Sequence, residues 1–257
     1  MTDNPFSLDK QTILITGASS GIGRACAFAA AKAGARIILT ARNQKRLGEV
    51  KSELPGDGHL VFSRDLSTDT DAIPDWLRGE VVPNAGKLTG IVHAAGIARE
   101  IPLKIQTTKM TKDLFQLNLY AAAALAKGLR HPANHEPNAS LVFVSSTVAF
   151  RGRAALSAYA ASKGGLVSMA RNLAVELAPD KVRVNCVLPG WVETPMTTGK
   201  SNAQALSPEQ YAAIKQRHPL GLGSPHKVAN ATLFLLTKAA EWMTGTELVV
   251  DGGFSAT

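Results

Sequence analysis

The sequence predicts one α/β domain, a doubly wound parallel sheet of about seven strands with helices on both faces. Three observations predict it. Strand-length apolar runs alternate with helix-like segments along the chain. A glycine-rich turn lies between the first such strand and the first such helix. No linker, repeat or low-complexity tract divides the 257 residues, which at 45% hydrophobic content can bury one large core, so residues 1–257 read as a single domain.

The elements follow in order. Residues 11–15 (QTILI) are the first strand, and residues 24–34 are an alanine-rich helix candidate that Gly34 would stop. Between them runs TGASSGIG. Gly17, Gly21 and Gly23 let the backbone approach a pyrophosphate; Ser19, Ser20 and Ile22 complete the turn, and the next helix turns its first N–H groups toward the anion. The second strand, 36–40, runs into Ala41 and Arg42. An acidic residue there would hold the ribose 2′-hydroxyl of NAD. None is present; Arg42, helped by Lys45 or Arg46, suits a 2′-phosphate, so the expected cofactor is NADP(H).

Residues 60–63 and 88–92 are further strands, the first leading to Asp65-Leu66 and a polar segment through Trp76, the second to HAAG at 93–96. Residues 107–130 read as one long helix, 140–144 as a strand ending at Ser145-Ser146, and 157–177 as a helix with Pro179 beyond its end. Strands at 182–188 and 247–250 close the series, running into Pro189-Gly190 and Asp251-Gly252-Gly253. The exception to regular alternation is 194–220, long, polar and holding Pro195, Pro208 and Pro219. An insertion after a strand's carboxyl end is expected to act as a substrate lid.

Chemistry concentrates in 146–163. Tyr159 and Lys163 stand four residues apart, one helical turn, so phenol and ammonium share a face, and Ser146 lies thirteen residues before the tyrosine. A neighbouring cation lowers a phenol's pKa from its ordinary value near 10, and a serine hydroxyl can hold a carbonyl or alcohol oxygen. That is equipment for interconverting a carbonyl and an alcohol.

Composition excludes other classes. The net charge of +8 is scattered, without the basic and aromatic interleaving of a nucleic-acid binder. Cys26 and Cys186 lie in apolar contexts, which suits buried small hydrophobes rather than a metal or redox site. The N-terminal MTDNPFSLDKQ lacks the pattern of a signal peptide, and no apolar run is long enough to span a membrane, so a soluble cytoplasmic protein is expected.

With these motifs in order, the chain resembles the short-chain dehydrogenase/reductase family from Thr16 to Gly253. The match rests on TGASSGIG, Asp65-Leu66, HAAG, Asn118 in FQLNLY, Ser146, Tyr159 with Lys163, PGWVETPM at 189–196 and MTGTELVVDGG at 243–253. The pattern is nearest to 3-oxoacyl-carrier-protein reductases and their relatives. The resemblance implies a Rossmann-type sheet and assigns roles. Tyr159 would give the proton in reduction, Lys163 would lower its pKa and bind the nicotinamide ribose, and Ser146 would hydrogen-bond the substrate oxygen. Asn118 would hold a water leading to Lys163, or brace a bend in the long helix. Asp65 would accept from the adenine amino group, with Leu66 beside it. Ala95 and Gly96 would line the cofactor, and Pro189, Gly190, Val192 and Thr194 would border the nicotinamide. The resemblance also implies a homotetramer, or a dimer, built through the helices carrying Asn118 and Tyr159, whose alanines at 121–124 would suit close approach or intrachain packing.

Two departures stand out. The family usually reads Asn-Asn-Ala-Gly where this chain has His93-Ala94-Ala95-Gly96. His93, ending a buried strand, is expected to be structural. Carrier-protein reductases tend to place a basic residue where this chain has Asp180, followed by Lys181. The substrate thus stays open between a 3-oxoacyl thioester and a sugar or secondary-metabolite carbonyl. Arg99, Arg151 and Arg153 stand near the expected mouth, where they would suit an anionic substrate or would be ordinary solvated residues. A non-catalytic cofactor sensor is the remaining alternative, opposed by the presence of all four catalytic positions.

Overall fold

A computed structural model describes residues 4–198 and 207–256. Its strands are β1 (Thr12–Thr16), β2 (Arg36–Ala41), β3 (Leu60–Ser63), β4 (Leu88–His93), β5 (His135–Val144), β6 (Arg183–Pro189) and β7 (Glu247–Val250). All pair in parallel in one sheet ordered β3-β2-β1-β4-β5-β6-β7. Successive strand residues point to opposite faces, and both faces are covered, which explains the near-continuous apolar runs. Leu14, Ile38, Leu141 and Phe143 join one core, whereas Ile13, Ile15, Ile37 and Val142 join the other.

Helices α1 (Gly21–Lys32), α2 (Gln44–Glu53) and α10 (Pro225–Leu236) cover the second core. The small side chains Ala27 and Ala30 of α1 let it lie close to the sheet and to Ala229 of α10. On the other face lie α3 (Ile73–Trp76) and α4 (Val82–Ala85), joined by a π turn at Leu77–Val81, together with α6 (Ala121–Arg130) and α7 (Ser157–Glu176). Ala121 and Ala122 are fully buried in this core, so they serve intrachain packing.

Two expectations are corrected. The helix expected over 107–130 is broken into α5 (Thr108–Phe115) and α6 by a π turn, Gln116–Tyr120. The wider turn seats the buried Asn118, whose polar side chain meets backbone outside the helix. β5 begins at His135 rather than Ser140: Leu88 pairs with His135, and a register irregularity precedes the Gly90–Ser140 pair. The alternation implied helices between the later strands without locating all of them. α10 carried the usable signal, Ser224-Pro225, an N-cap followed by proline in the first turn. Within 194–220 lie α8 (Pro195–Thr198) and α9 (Pro208–Gln216), the latter opened by a capping box between Ser207 and Gln210. The part of the expected lid at 199–206 lies outside the described residues.

The strand order turns back between β1 and β4, whose carboxyl ends meet at the Thr16–His93 pair. In open α/β sheets the binding crevice lies there.

Candidate active site

Two cavities open at the carboxyl edge of the sheet, of about 660 and 640 Å³. The first surrounds the glycine turn. Gly17, Ser19, Ser20, Gly21, Ile22, Gly23, Arg42, Asp65, Leu66, Ala95, Gly96 and Thr194 all line it. Gly17 has φ +66°, and a β-carbon on Gly23 would lie 2.4 Å from the Gly17 carbonyl oxygen, so the turn closes only with glycine at both places. Ser20, the N-cap of α1, makes no side-chain cap hydrogen bond, which leaves the first-turn N–H groups open to an anion.

Asp65 sits with Arg42 at the far end. Burial works against the Asp65 carboxylate, but hydrogen bonds from Ser67 and the Arg42 charge outweigh it and hold its pKa below the ordinary value. Sequence reasoning missed Arg64, which lines this cavity, lies over the Trp76 ring at 5.3 Å and has a buried Nε without a partner among the described residues. Its place directly before Asp65 was the available signal. Uncapped helix, glycine turn and three arginines, Arg42, Arg46 and Arg64, fit a phosphorylated dinucleotide.

The second cavity receives Ser146, Tyr159 and Gly190, together with Trp191, Arg99, Arg151, Arg153 and Arg217. Met196 lines both cavities, so the two adjoin. Ser146, in extended backbone after β5, caps the 3-10 turn Thr147–Ala149. Its neighbour Ser145 points the other way, buried and donating to the Lys163 carbonyl at 2.8 Å. Lys163 is 5% exposed, donates to the Val144 carbonyl at 2.8 Å and stands 5.9 Å from the Tyr159 ring centroid. The shared helical face expected from their spacing is therefore formed.

The electrostatics differ from the sequence expectation. Burial raises the Tyr159 pKa to about 12, against a lowering by the hydrogen bond with Ser146. Burial lowers Lys163 to about 8. The expected lowering of the phenol by the ammonium is overridden because desolvation disfavours charge on both groups. Tyr159 is thus firmly protonated at neutral pH, the state of a proton donor.

Asn118 braces this centre. Its Oδ1 accepts from the Ile97 N–H at 2.9 Å, and its Nδ2 donates to the Ile97 carbonyl and to Ser162 Oγ, each at 3.0 Å. Ser162 in turn donates to the Tyr159 carbonyl at 2.8 Å. Gly96 lies against both Asn118 Oδ1 and Lys163 Nζ, at 3.2 and 3.4 Å from a β-carbon built on it.

His93 is fully buried. Its Nε2 faces the Leu117 carbonyl at 3.2 Å and must donate, so Nδ1, 3.0 Å from Thr16 Oγ1, accepts from that hydroxyl. Thr16 Oγ1 itself accepts from the Ala95 N–H at 3.0 Å. His93 therefore ties β1 and HAAG to the π turn beside Asn118, and burial followed by the Lys163 charge drives its pKa down to about 3. It is structural, as expected, and neutral.

Pro189 ends β6 and Val192 is 4% exposed within the core, bridged to Gly223; neither is among the residues lining the two cavities, unlike Gly190 and Thr194. Cys26 and Cys186 are buried, with thiols pushed up to about 12 chiefly by desolvation.

The sequence matches the family described as Enoyl-(Acyl carrier protein) reductase over residues 17–255. It is 37% identical over 241 residues to a human 3-oxoacyl-[acyl-carrier-protein] reductase, covering 93% of this chain and 95% of that protein. The corresponding reductase of Escherichia coli (strain K12) is 32% identical over 250 residues, covering 96% and 98%. Among solved structures, a putative NAD(P) dependent gluconate 5-dehydrogenase from Beutenbergia cavernae with bound NADP superposes with a TM-score of 0.85 at 30% identity, covering 99% of this chain and 100% of that one. The chain belongs to the short-chain dehydrogenase/reductase family. As a member it is an oxidoreductase acting on carbonyl–alcohol pairs. No helix among the described residues is long and apolar enough to cross a membrane.

Proposed function

We propose that this reductase uses NADP(H) to reduce a ketone or aldehyde to an alcohol, with Tyr159 as the proton donor. The observation that carries this reading is the Tyr159 phenol, hydrogen-bonded with Ser146 in the cavity that meets the glycine-turn cavity at Met196. The nicotinamide cofactor supplies the hydride when bound. Arg42 and Arg64 hold the 2′-phosphate, the open N-terminus of α1 holds the pyrophosphate, and Asp65 accepts from the adenine amino group. Ser146 donates a hydrogen bond to the substrate oxygen, an oxyanion-type contact. Tyr159 releases its proton to that oxygen as negative charge develops on it, and the Lys163 ammonium compensates the phenolate left behind. Asn118 keeps the Tyr159–Lys163 helix and Gly96 in register through Ser162 and Ile97. Met196 of α8 and Ile214 of α9 border the substrate, and the chain assembles as a homotetramer or dimer.

A 3-oxoacyl thioester is the first substrate to test, given the relatives at 32–37% identity. Docking of an acidic carrier protein has weak support. Asp180 stands where carrier-protein reductases tend to place a basic residue, and it pairs with Arg130 at 3.3 Å. The second reading, action on a sugar acid, is favoured by the likeness to a gluconate 5-dehydrogenase and by the arginines of the substrate cavity. NADPH oxidation is followed on acetoacetyl-coenzyme A, 5-oxogluconate and neutral ketones, with NADH in parallel. Turnover of at least one carbonyl with NADPH preferred supports the proposal. Tight NADPH binding without turnover of any carbonyl would turn it toward a sensor.

A further inference from the structure

The segment after β7 turns back onto the substrate cavity. Asp251 builds the turn: its Oδ1 accepts from the Gly253 N–H at 3.0 Å and its Oδ2 from the Ser255 N–H at 2.8 Å. Gly252 and Gly253 have φ of +63° and +87°, the left-handed region that lets the backbone reverse there. The Leu220 N–H donates to the Gly252 carbonyl at 2.9 Å, which docks the turn on the stretch that follows α9. Phe254 is thereby placed in the lining of the substrate cavity.

Three side chains fix its ring. His218 stacks on it at 4.7 Å, the planes 13° from parallel. His218 is buried and held in turn: Nδ1 donates to the Ile214 carbonyl at 2.7 Å, and Nε2 accepts from the Trp191 N–H at 3.1 Å. The Arg217 guanidinium lies 4.8 Å from the Phe254 centroid. Arg151 makes two contacts, lying 4.9 Å from the centroid and donating through Nη1 to the Phe254 carbonyl at 2.6 Å. Its own N–H donates to the Thr147 carbonyl at 2.9 Å, in the 3-10 turn that Ser146 caps. A charge-assisted hydrogen bond therefore joins the loop of Ser146 to the turn that carries Phe254.

We infer that Phe254 is a specificity-determining residue, whose ring is the wall that limits the apolar flank a carbonyl substrate can carry, and that Arg151 is the positioning residue that holds this wall against the loop of Ser146. The inference rests on the carbonyl-reductase reading for the reacting end. Ile105, Met110, Leu156 and Ile214 line the same cavity, so an apolar flank is the part of a substrate that the wall sorts. One methylene in an apolar pocket changes discrimination about 10- to 200-fold, so removal of a whole ring is a large lever.

The test uses acetophenone and 2-acetonaphthone, which present the same reacting ketone on one ring or two. For each, kcat/KM is measured with NADPH in the unaltered enzyme and in Phe254→Ala, Phe254→Leu, Arg151→Gln and Arg151→Lys. The ratio of the two-ring to the one-ring ketone is expected to rise about tenfold or more in Phe254→Ala and less in Phe254→Leu. It should rise in Arg151→Gln and fall back toward the unaltered value in Arg151→Lys, which keeps a charged donor. Misfolding lowers both ketones alike and leaves the ratio unchanged. A ratio within about twofold of the unaltered value in Phe254→Ala overturns the role of the ring. A ratio that rises there but not in Arg151→Gln overturns the role of Arg151.

A second measurement does not need turnover. The NADP+-loaded enzyme cannot reduce a ketone, so both ketones are titrated into it by calorimetry. Binding of 2-acetonaphthone about tenfold tighter to Phe254→Ala than to the unaltered protein supports the wall even if no carbonyl is turned over, a result that would count against the reductase reading alone. Failure of Phe254→Ala to bind either ketone overturns the wall and leaves that reading intact. Amide hydrogen exchange over 252–256 isolates the contact from Arg151. Exchange about tenfold faster in Arg151→Gln is expected, and unchanged exchange contradicts its positioning role.

Discussion

The two cavities are nearly equal in volume, yet they are made differently. The cofactor cavity is lined at the carboxyl ends of β1, β2 and β4 by short motifs, the glycine turn and Ala94-Ala95-Gly96 among them, with glycines where a β-carbon would collide. The substrate cavity is lined by residues from four separated stretches, 98–110, 146–159, 190–197 and 214–218, together with Phe254. A constant ligand can be gripped by backbone and written as a short motif. A variable ligand is read by side chains that only the fold brings together.

The comparison breaks first at the glycine turn. Gly23→Ala places a methyl 2.4 Å from the Gly17 carbonyl oxygen, a backbone atom with little room to move. Displacement of the turn by about 1 Å is expected to weaken NADPH binding roughly 100-fold, measured by fluorescence titration. A variant that binds NADPH normally would mean the turn does not set the cavity.

The next test lies at the buried carboxyl end of β4. His93 is held neutral with a pKa near 3, against 6.5 for the ordinary group. Below pH 6.5 the unfolded chain takes up a proton that the folded protein refuses, so stability falls as pH drops from about 6.5 toward 3. The limiting slope is about 1.4 kcal/mol per pH unit. Urea unfolding of the His93→Asn variant is expected to show a shallower acid limb than the unaltered protein. Equal limbs would show that His93 is protonated in the fold.

The smallest expected effect is at Arg42, which is exposed and shares its end of the cavity with Arg64. Arg42→Ala should reduce the preference for NADPH over NADH by about tenfold, with the remainder carried by Arg64. No change in the ratio of kcat/KM values would move the phosphate contact to Arg46 and Arg64.

This contrast also explains what could be read from the sequence. The seven strands were legible because both faces of the sheet are buried, so runs such as ILIT and RIILT needed no alternation to stand out. The glycine turn was legible because sterics leave few alternatives. The Tyr159–Lys163 pair was legible because helical spacing fixes its face. The π turn at Asn118 was not, since its cause lies across the fold in Ile97 and Ser162. Nor was the direction in which the Tyr159 pKa moves: spacing showed the nearby ammonium, whereas the desolvation that raises the phenol depends on packing. Arg217, Trp191 and Phe254 lie far apart in sequence, and nothing local announces that they meet.

The central claim is that Tyr159 gives the proton while the cofactor cavity stands independently of it. The direct measurement is kcat of Tyr159→Phe on the best carbonyl substrate, together with its NADPH dissociation constant. Loss of the hydroxyl is expected to lower kcat by about 10²–10⁴-fold, with the dissociation constant changed no more than about twofold. A phenylalanine variant that turns over at the unaltered rate would contradict the account.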